Sequence, residues 1–176
     1  MQSSIYKNAE CLAAFCSLPD EVDAMPVIGR ALLDKKNVLL PRVLPNTNQM
    51  EFYQLDGENL FAAAGKKKDF CLESALLERT EVNSWGIREP LLTLPMAEKE
   101  KFLPRTAILV PGLAFSKDGR RLGRGKGFYD RFLRELLEKN GAFRREGKIC
   151  GYCFDFQIAD DIPIEENDVL MHEVFF

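Results

Sequence analysis

The sequence predicts an α/β fold, one three-layer domain over residues 1–176 whose mainly parallel sheet is flanked by helices. Three observations predict it. Residues 106–109 (TAIL), continuing into Val110-Pro111-Gly112, form a continuous apolar run, as in a strand covered on both faces. Residues 128–140 (FYDRFLRELLEKN) place apolar side chains at 128, 129, 132, 133, 136 and 137, the period of an amphipathic helix. Residues 149–154 return to a strand pattern, so strand, glycine loop, helix and strand follow in the order of a βαβ unit. Such a unit requires a parallel pair and a right-handed crossover.

The other elements follow in chain order. Val22, Met25, Val27, Ile28, Leu32 and Leu33 fall near helical spacing over residues 21–35. Pro26 suits a first turn, Asp20 an N-cap, and Glu21 and Asp23 the positive end of that helix. Lys35-Lys36-Asn37 closes it, and Val38-Leu39-Leu40 reads as a short buried strand stopped by Pro41. Residues 50–55 (MEFYQL) read as another strand. Residues 60–83 are polar and mixed, with Lys66-Lys67-Lys68 as a solvated surface turn. Gly86, Pro90 and Pro95 make residues 85–95 a loop, and Asn140-Gly141 stops the helix at 128–140.

A chain of 176 residues buries a core without disulfide or metal staples. With 46% hydrophobic and 29% charged residues it is excluded from the disordered and fibrous classes. No apolar run approaches the roughly 18 residues of a membrane span, so no membrane partner is expected. The opening MQSSIYKNAE lacks a basic stretch followed by an apolar one and does not read as a signal peptide. Five cysteines (11, 16, 71, 150, 153) show no disulfide spacing and point to a reducing, cytoplasmic setting.

The net charge of −3 argues against a nucleic-acid-coating protein, and no nucleic-acid partner is expected. It conceals a local +4, however. Lys117, Arg120, Arg121, Arg124, Lys126 and Arg131 face only Asp118 and Asp130, leaving −7 for the rest of the chain. The segment 116–127 (SKDGRRLGRGKG) lies between the buried strand and the strong helix. Its glycines at 119, 123, 125 and 127 allow positive φ and close approach of a ligand. Successive backbone N–H groups form anion nests, and a helix N-terminus adds dipole and free donors. Arg121, Arg124 and Lys126 add charge, so the loop suits a polyphosphate. It is no Walker A loop, since Arg120 stands where the first glycine belongs and Gly127 follows Lys126. It is no dinucleotide fingerprint either, because Phe128 occupies the third glycine position. Asp130, in the first helical turn, reads either as an acid complementing the helix end or as a magnesium ligand. Cys150-Gly151-Tyr152-Cys153 has no second pair and lies in a strand, so neither zinc nor redox chemistry is expected there. His172 reads as an ordinary polar residue.

The run Arg121-Leu122-Gly123-Arg124-Gly125-Lys126-Gly127-Phe128-Tyr129-Asp130 resembles the signature of the 5-formyltetrahydrofolate cyclo-ligase (methenyltetrahydrofolate synthetase) family. The lead-in 110–115 (VPGLAF), 19–23 (PDEVD), 40–42 (LPR), 50–52 (MEF), 85–90 (WGIREP) and 154–157 (FDFQ) extend it along nearly the whole chain, as do Ile162-Pro163 and Asn167-Asp168. The resemblance implies a ligase of one-carbon metabolism, which converts 5-formyltetrahydrofolate to 5,10-methenyltetrahydrofolate with ATP and magnesium and releases ADP and phosphate. The formyl oxygen attacks the γ-phosphate, N10 attacks the activated carbon, and phosphate leaves. No protein nucleophile is required.

Carried over by residue, the resemblance implies that Arg121, Leu122, Gly123, Arg124, Gly125, Lys126, Gly127, Phe128 and Tyr129 hold ATP. Arg124–Phe128 would also face the folate, with Arg124 and Lys126 as the catalytic cations. Asp130 and Asp168 would hold magnesium, Glu21 the pterin, and Cys16, Met50, Trp85 and Tyr129 would line the folate pocket. Two departures stand out. Phe128 replaces a usual tyrosine, and a basic helix carrying a Lys-x-x-x-Arg pair that precedes the family's common core has no counterpart here beyond Lys7. The expectation is therefore weak or absent ligase activity for this chain without upstream residues. The alternative is a non-catalytic nucleotide- or phosphate-binding module that keeps the loop. A monomer is compatible with the sequence, which does not fix oligomeric state.

Overall fold

The structure, a computed structural model, describes residues 3–45, 47, 49–55 and 72–176. The lysine run at 66–68 lies outside the described residues. The chain begins with α1 (Ser4–Asn8), β1 (Cys11–Ala13), α2 (Met25–Leu33), β2 (Asn37–Val43) and β3 (Met50–Leu55). It continues with α3 (Leu72–Leu77), β4 (Thr80–Val82), β5 (Arg88–Pro90), β6 (Met96–Ala97) and β7 (Thr106–Val110). Then come β8 (Ala114–Phe115), β9 (Arg121–Leu122), α4 (Phe128–Lys139), α5 (Gly141–Glu146), β10 (Lys148–Tyr152) and β11 (Glu173–Phe175).

Among the described residues, seven strands form one sheet in the order β11-β10-β7-β1-β2-β3-β6. The first five are mutually parallel, and β3 and β6 add an antiparallel edge. The predicted α/β class and parallel β7–α4–β10 unit are present. Period-two alternation divides the core between the sheet's two faces. Leu12, Leu40 and Leu109 pack with Val27, Ile28 and Leu32 of α2. Ala13, Leu39 and Ile108 pack with Phe132, Leu133 and Leu136 of α4. All five residues of β7 are buried, which explains its uninterrupted apolar sequence. No helix among the described residues is long and apolar enough to cross a membrane.

Four local expectations are corrected. The first concerns α2, which starts at Met25 with Ala24 as N-cap and not at residue 21. Ser17 Oγ accepts from Ala24 N at 2.9 Å and donates to Val22 O at 2.8 Å, winding residues 17–24 into a turn. Asp20 therefore caps nothing. The second concerns β2, which runs through Pro41. Its odd-numbered residues point their backbone toward β1 (Ala14 N donates to Leu39 O at 2.9 Å), and pairing with β1 ends at Leu39. Pro41 thus lacks an N–H only on the side that β1 no longer pairs, while β3 still pairs with it through Phe52.

The third correction lies in the segment read as a loop at 85–95, which contains β5, paired antiparallel with β4. Asn83 closes the hairpin by accepting from Trp85 N at 2.9 Å and Ile87 N at 3.0 Å. The fourth concerns the glycine loop, which is interrupted by the β8–β9 hairpin. Gly119 (φ +91°) serves that hairpin's turn, where Met171 N donates to its carbonyl at 2.8 Å. Gly123, unlike 119, 125 and 127, does not take positive φ.

Candidate active site

In the sheet, β1 and β7 are neighbours, yet the chain leaves β1 for β2 and β7 for β10, in opposite directions. Open α/β sheets form a crevice where the strand order reverses in this way, beyond the carboxyl ends of the strands. A pocket of about 570 Å³ occupies that place. Cys16 enters it just after β1, Pro41 from the part of β2 beyond its pairing with β1, and Gly112 just after β7. The hairpin of β4 and β5 supplies one wall, and residues 121–130 the facing one.

Every site residue expected from the sequence lines this pocket: Cys16, Glu21, Met50, Trp85, each residue from Arg121 to Asp130, and Asp168. Gly125 (φ +76°) and Gly127 (φ +62°) take the left-handed backbone that the loop needs, and open space surrounds Gly125. Gly127 is also the N-cap of α4 and brings no side chain to its first N–H groups, leaving that end uncapped toward the pocket.

The basic residues divide by task. Arg120 leaves the pocket to bond Asp118 and the Ile162 carbonyl, and Arg131 donates to Lys126 O at 2.5 Å. Of the six cations in the +4 segment, only Arg121, Arg124 and Lys126 line the pocket. Glu21, Glu89, Asp130, Glu165 and Asp168 line it too, so the cradle is mixed in sign. Arg121, only 7% exposed, bonds Asp130 Oδ2 at 2.6 Å and the Pro111 carbonyl at 3.3 Å, while its Nε is buried without a partner. Arg124 spans the pocket mouth to Asp20 at 2.7 Å and Glu21 at 3.6 Å, and the bond to Asp20 holds its own pKa up. Lys126 has no ion pair with any described residue and is the loop's uncommitted charge.

The opposite wall is less polar. Glu21 is nearly buried and accepts from Leu18 N at 3.0 Å. Burial pushes the Cys16 thiol up to about 11 against the opposing effect of Arg88, so it is neutral at physiological pH. Met50 is buried at the start of β3. Trp85 is exposed rather than core, with its ring 6.1 Å from that of Phe128. The Tyr129 hydroxyl is buried without a partner, although the residue as a whole is only half-buried. Burial first, then the charge of Glu21, raises its pKa.

A model of the 5-formyltetrahydrofolate cyclo-ligase family matches residues 1–176. The chain belongs to that family. It is 30% identical over 171 residues to the 5-formyltetrahydrofolate cyclo-ligase of Mus musculus, spanning 97% of this chain and 75% of the mouse protein. The enzyme of the same name from Escherichia coli K12 is 29% identical over 165 residues, spanning 92% and 74%. Among solved structures, the chain resembles Aquifex aeolicus 5,10-methenyltetrahydrofolate synthetase, with a TM-score of 0.63 and 25% identity over 98% of this chain and 71% of that one.

Within this cyclo-ligase family member, Asp130 and Asp168 stand on one pocket, as a shared cation would need. Asp130 gives one oxygen to Arg121, and Asp168 gives one to Glu165 N at 2.8 Å, which leaves each a second oxygen. No cluster of three His, Cys, Asp or Glu that could enclose an ion exists among the described residues. The donor set fits magnesium, which takes one or two carboxylates and completes its shell with phosphate and water. Lys7, on α1, is exposed and does not line the pocket. Sequence reasoning missed Arg88 and Glu89, which β5 brings to the wall. The signal available was a charged pair inside a segment otherwise bounded by glycine and proline.

Proposed function

We propose that this chain closes 5-formyltetrahydrofolate to 5,10-methenyltetrahydrofolate, using ATP and magnesium and releasing ADP and phosphate. The observation that carries the reading is one pocket with two chemically different walls. Residues 121–130 present cations, left-handed glycines and an uncapped helix end to a polyphosphate. Facing them, Glu21, Met50 and Trp85 offer an acceptor and apolar surface to a pterin and its aromatic ring.

In this reading Arg121–Tyr129 seat the ATP phosphates. Arg121 itself is pinned by Asp130 and acts as a fixed charge, whereas Arg124 and Lys126 move onto the transferring phosphoryl group as the formyl oxygen attacks it. Arg124 exchanges Asp20 for phosphate at that point. Asp130 and Asp168 would hold magnesium, which supplies charge neutralisation at the phosphate oxygens when bound. Glu21 accepts from the pterin's amino and ring N–H groups. Cys16, Met50, Trp85 and Phe128 shape the folate seat, with Trp85 and Phe128 closing over its rim. Catalysis is then positioning and charge neutralisation, without a protein nucleophile. The neutral Cys16 thiol supports that assignment.

The test is spectrophotometric. Purified protein with 5-formyltetrahydrofolate and Mg-ATP generates the methenyl chromophore, and Arg124→Ala or Lys126→Ala abolishes it while the thermal melt stays unchanged. Removal of one preorganised transition-state donor costs about 10²–10³ in turnover. Nucleotide binding without chromophore would favour the non-catalytic module, and full activity in both variants would remove the loop from the reaction.

A further inference from the structure

Arg88 is the cation that the reading above leaves without work. It begins β5 and sits half-buried on the pocket wall. Among the described residues its one hydrogen bond is Nη1 to the buried Thr80 Oγ1 at 3.1 Å, and that hydroxyl donates onward to the Leu76 carbonyl at 2.9 Å. No carboxylate of a described residue reaches ion-pair distance of it. The nearby acids are already engaged. Glu81 pairs with Arg42 at 2.6 Å, and Glu89 accepts from Val43 N at 2.9 Å. By contrast Arg121 and Arg124 each hold an acid. The guanidinium stands close enough to Cys16, at the end of β1, to oppose the rise in that thiol's pKa. The same pocket is lined by the apolar Phe15, Val43 and Ile87.

A guanidinium drawn partly out of water and given one neutral acceptor retains donors in a planar fork, matched to a carboxylate or phosphate. The polyphosphate already has its own loop on the other wall. The remaining anionic groups of the proposed substrate are the carboxylates of its glutamyl tail. We infer that Arg88 recognises a carboxylate of that tail, making the β4–β5 hairpin the part of the pocket that selects the glutamylated form of the substrate. The inference rests on the folate reading above.

Trp85 is the chain's single tryptophan and lies on the same hairpin, so its emission reports binding directly. The experiment measures dissociation constants by Trp85 fluorescence for 5-formyltetrahydrofolate, for the primary amide of 5-formyltetrahydropteroate (the same ring system with NH2 in place of glutamate, hence no carboxylate), and for a non-hydrolysable ATP analogue. In the wild type, loss of the tail weakens binding about tenfold to a hundredfold, as expected for charge-assisted hydrogen bonds. In Arg88→Met the two folates bind alike, at the level of the tail-less ligand, and the nucleotide constant is unchanged. Arg88→Lys keeps the charge without the fork and restores part of the tail dependence, a recovery that a purely structural role would not produce.

The inference is overturned if Arg88→Met keeps the wild-type preference for the tail, or if it weakens both folates equally. It is equally overturned if the loss falls on the nucleotide, which would make phosphate the oxyanion. Wild-type protein that binds neither folate would instead overturn the folate reading itself.

Discussion

Replacing Asp130 with alanine leaves the Arg121 guanidinium in the pocket wall without its carboxylate. The pair is 2.6 Å apart, with side chains 7% and 18% exposed, and Arg121 already carries one buried unpartnered nitrogen. Breaking one partner of a buried pair costs about 3–5 kcal/mol, since the surviving charge loses both water and counter-ion. The Pro111 carbonyl still accepts from Arg121, which places the cost at the lower end. For a chain of this length each kcal/mol shifts the melting temperature by about 2–4 °C, so Asp130→Ala should melt roughly 6–12 °C below wild type. The assay is a circular-dichroism melt without ligand or metal. Arg121→Met with Asp130→Ala removes both charges and should recover more than half of that loss, because an apolar substitute for a buried pair is close to neutral. A single variant within about 2 °C of wild type, or a double variant less stable than the single, would refute the argument. Asp130→Asn keeps an acceptor for Arg121, so it separates the two duties: it should lose turnover while melting closer to wild type.

Other outcomes follow from single side chains. Tyr129→Phe removes a buried hydroxyl without a partner, so the ligand-free protein should gain about 1 kcal/mol, seen as a higher melting temperature, while ligand affinity falls. A lower melting temperature would mean the hydroxyl is satisfied. His172 Nδ1 accepts the Ile149 N–H at 3.0 Å, and burial together with Lys148 lowers its pKa below the ordinary 6.5. Below pH 6.5 the unfolded chain therefore takes up this proton before the folded one, and stability falls as pH drops from 6.5 toward the folded value. In His172→Gln that part of the slope should vanish, as melts from pH 7 to pH 5 would reveal. Gly119→Ala drives a Cβ to 2.3 Å from the Met171 carbonyl at φ +91°, so it should destabilise clearly. Gly125→Ala meets no atom within 4 Å and should cost only the backbone strain.

The legibility of the sequence follows the range of each interaction. The β7–α4–β10 unit and the 121–130 loop were readable because burial, period and glycine placement are all local there. The turn at 17–24 was not, since Ser17 shapes it from outside the apparent helix and Asp20 answers to Arg124, 104 residues away. The β4–β5 hairpin was missed because strands of three residues show no alternation, and its defining bonds come from the Asn83 side chain. Charge counting located the anion-seeking segment but did not reveal that Arg120 bonds the distant Ile162 carbonyl and Arg131 the loop's own Lys126 carbonyl.

The adjacency of β1 and β7 assigns the pocket's two walls to different stretches of chain. Cys16, Glu21, Trp85 and Arg88 come from before residue 100, and the glycine loop with its cations from after residue 110. What registers one wall against the other is a seam of three residue pairs, Cys11 with Thr106, Leu12 with Ala107 and Ala13 with Ile108. Ala13 is fully buried and Ala107 nearly so. On the proposed reading, the alignment of formyl oxygen with phosphorus depends on the register of this three-pair seam, none of whose residues lines the pocket.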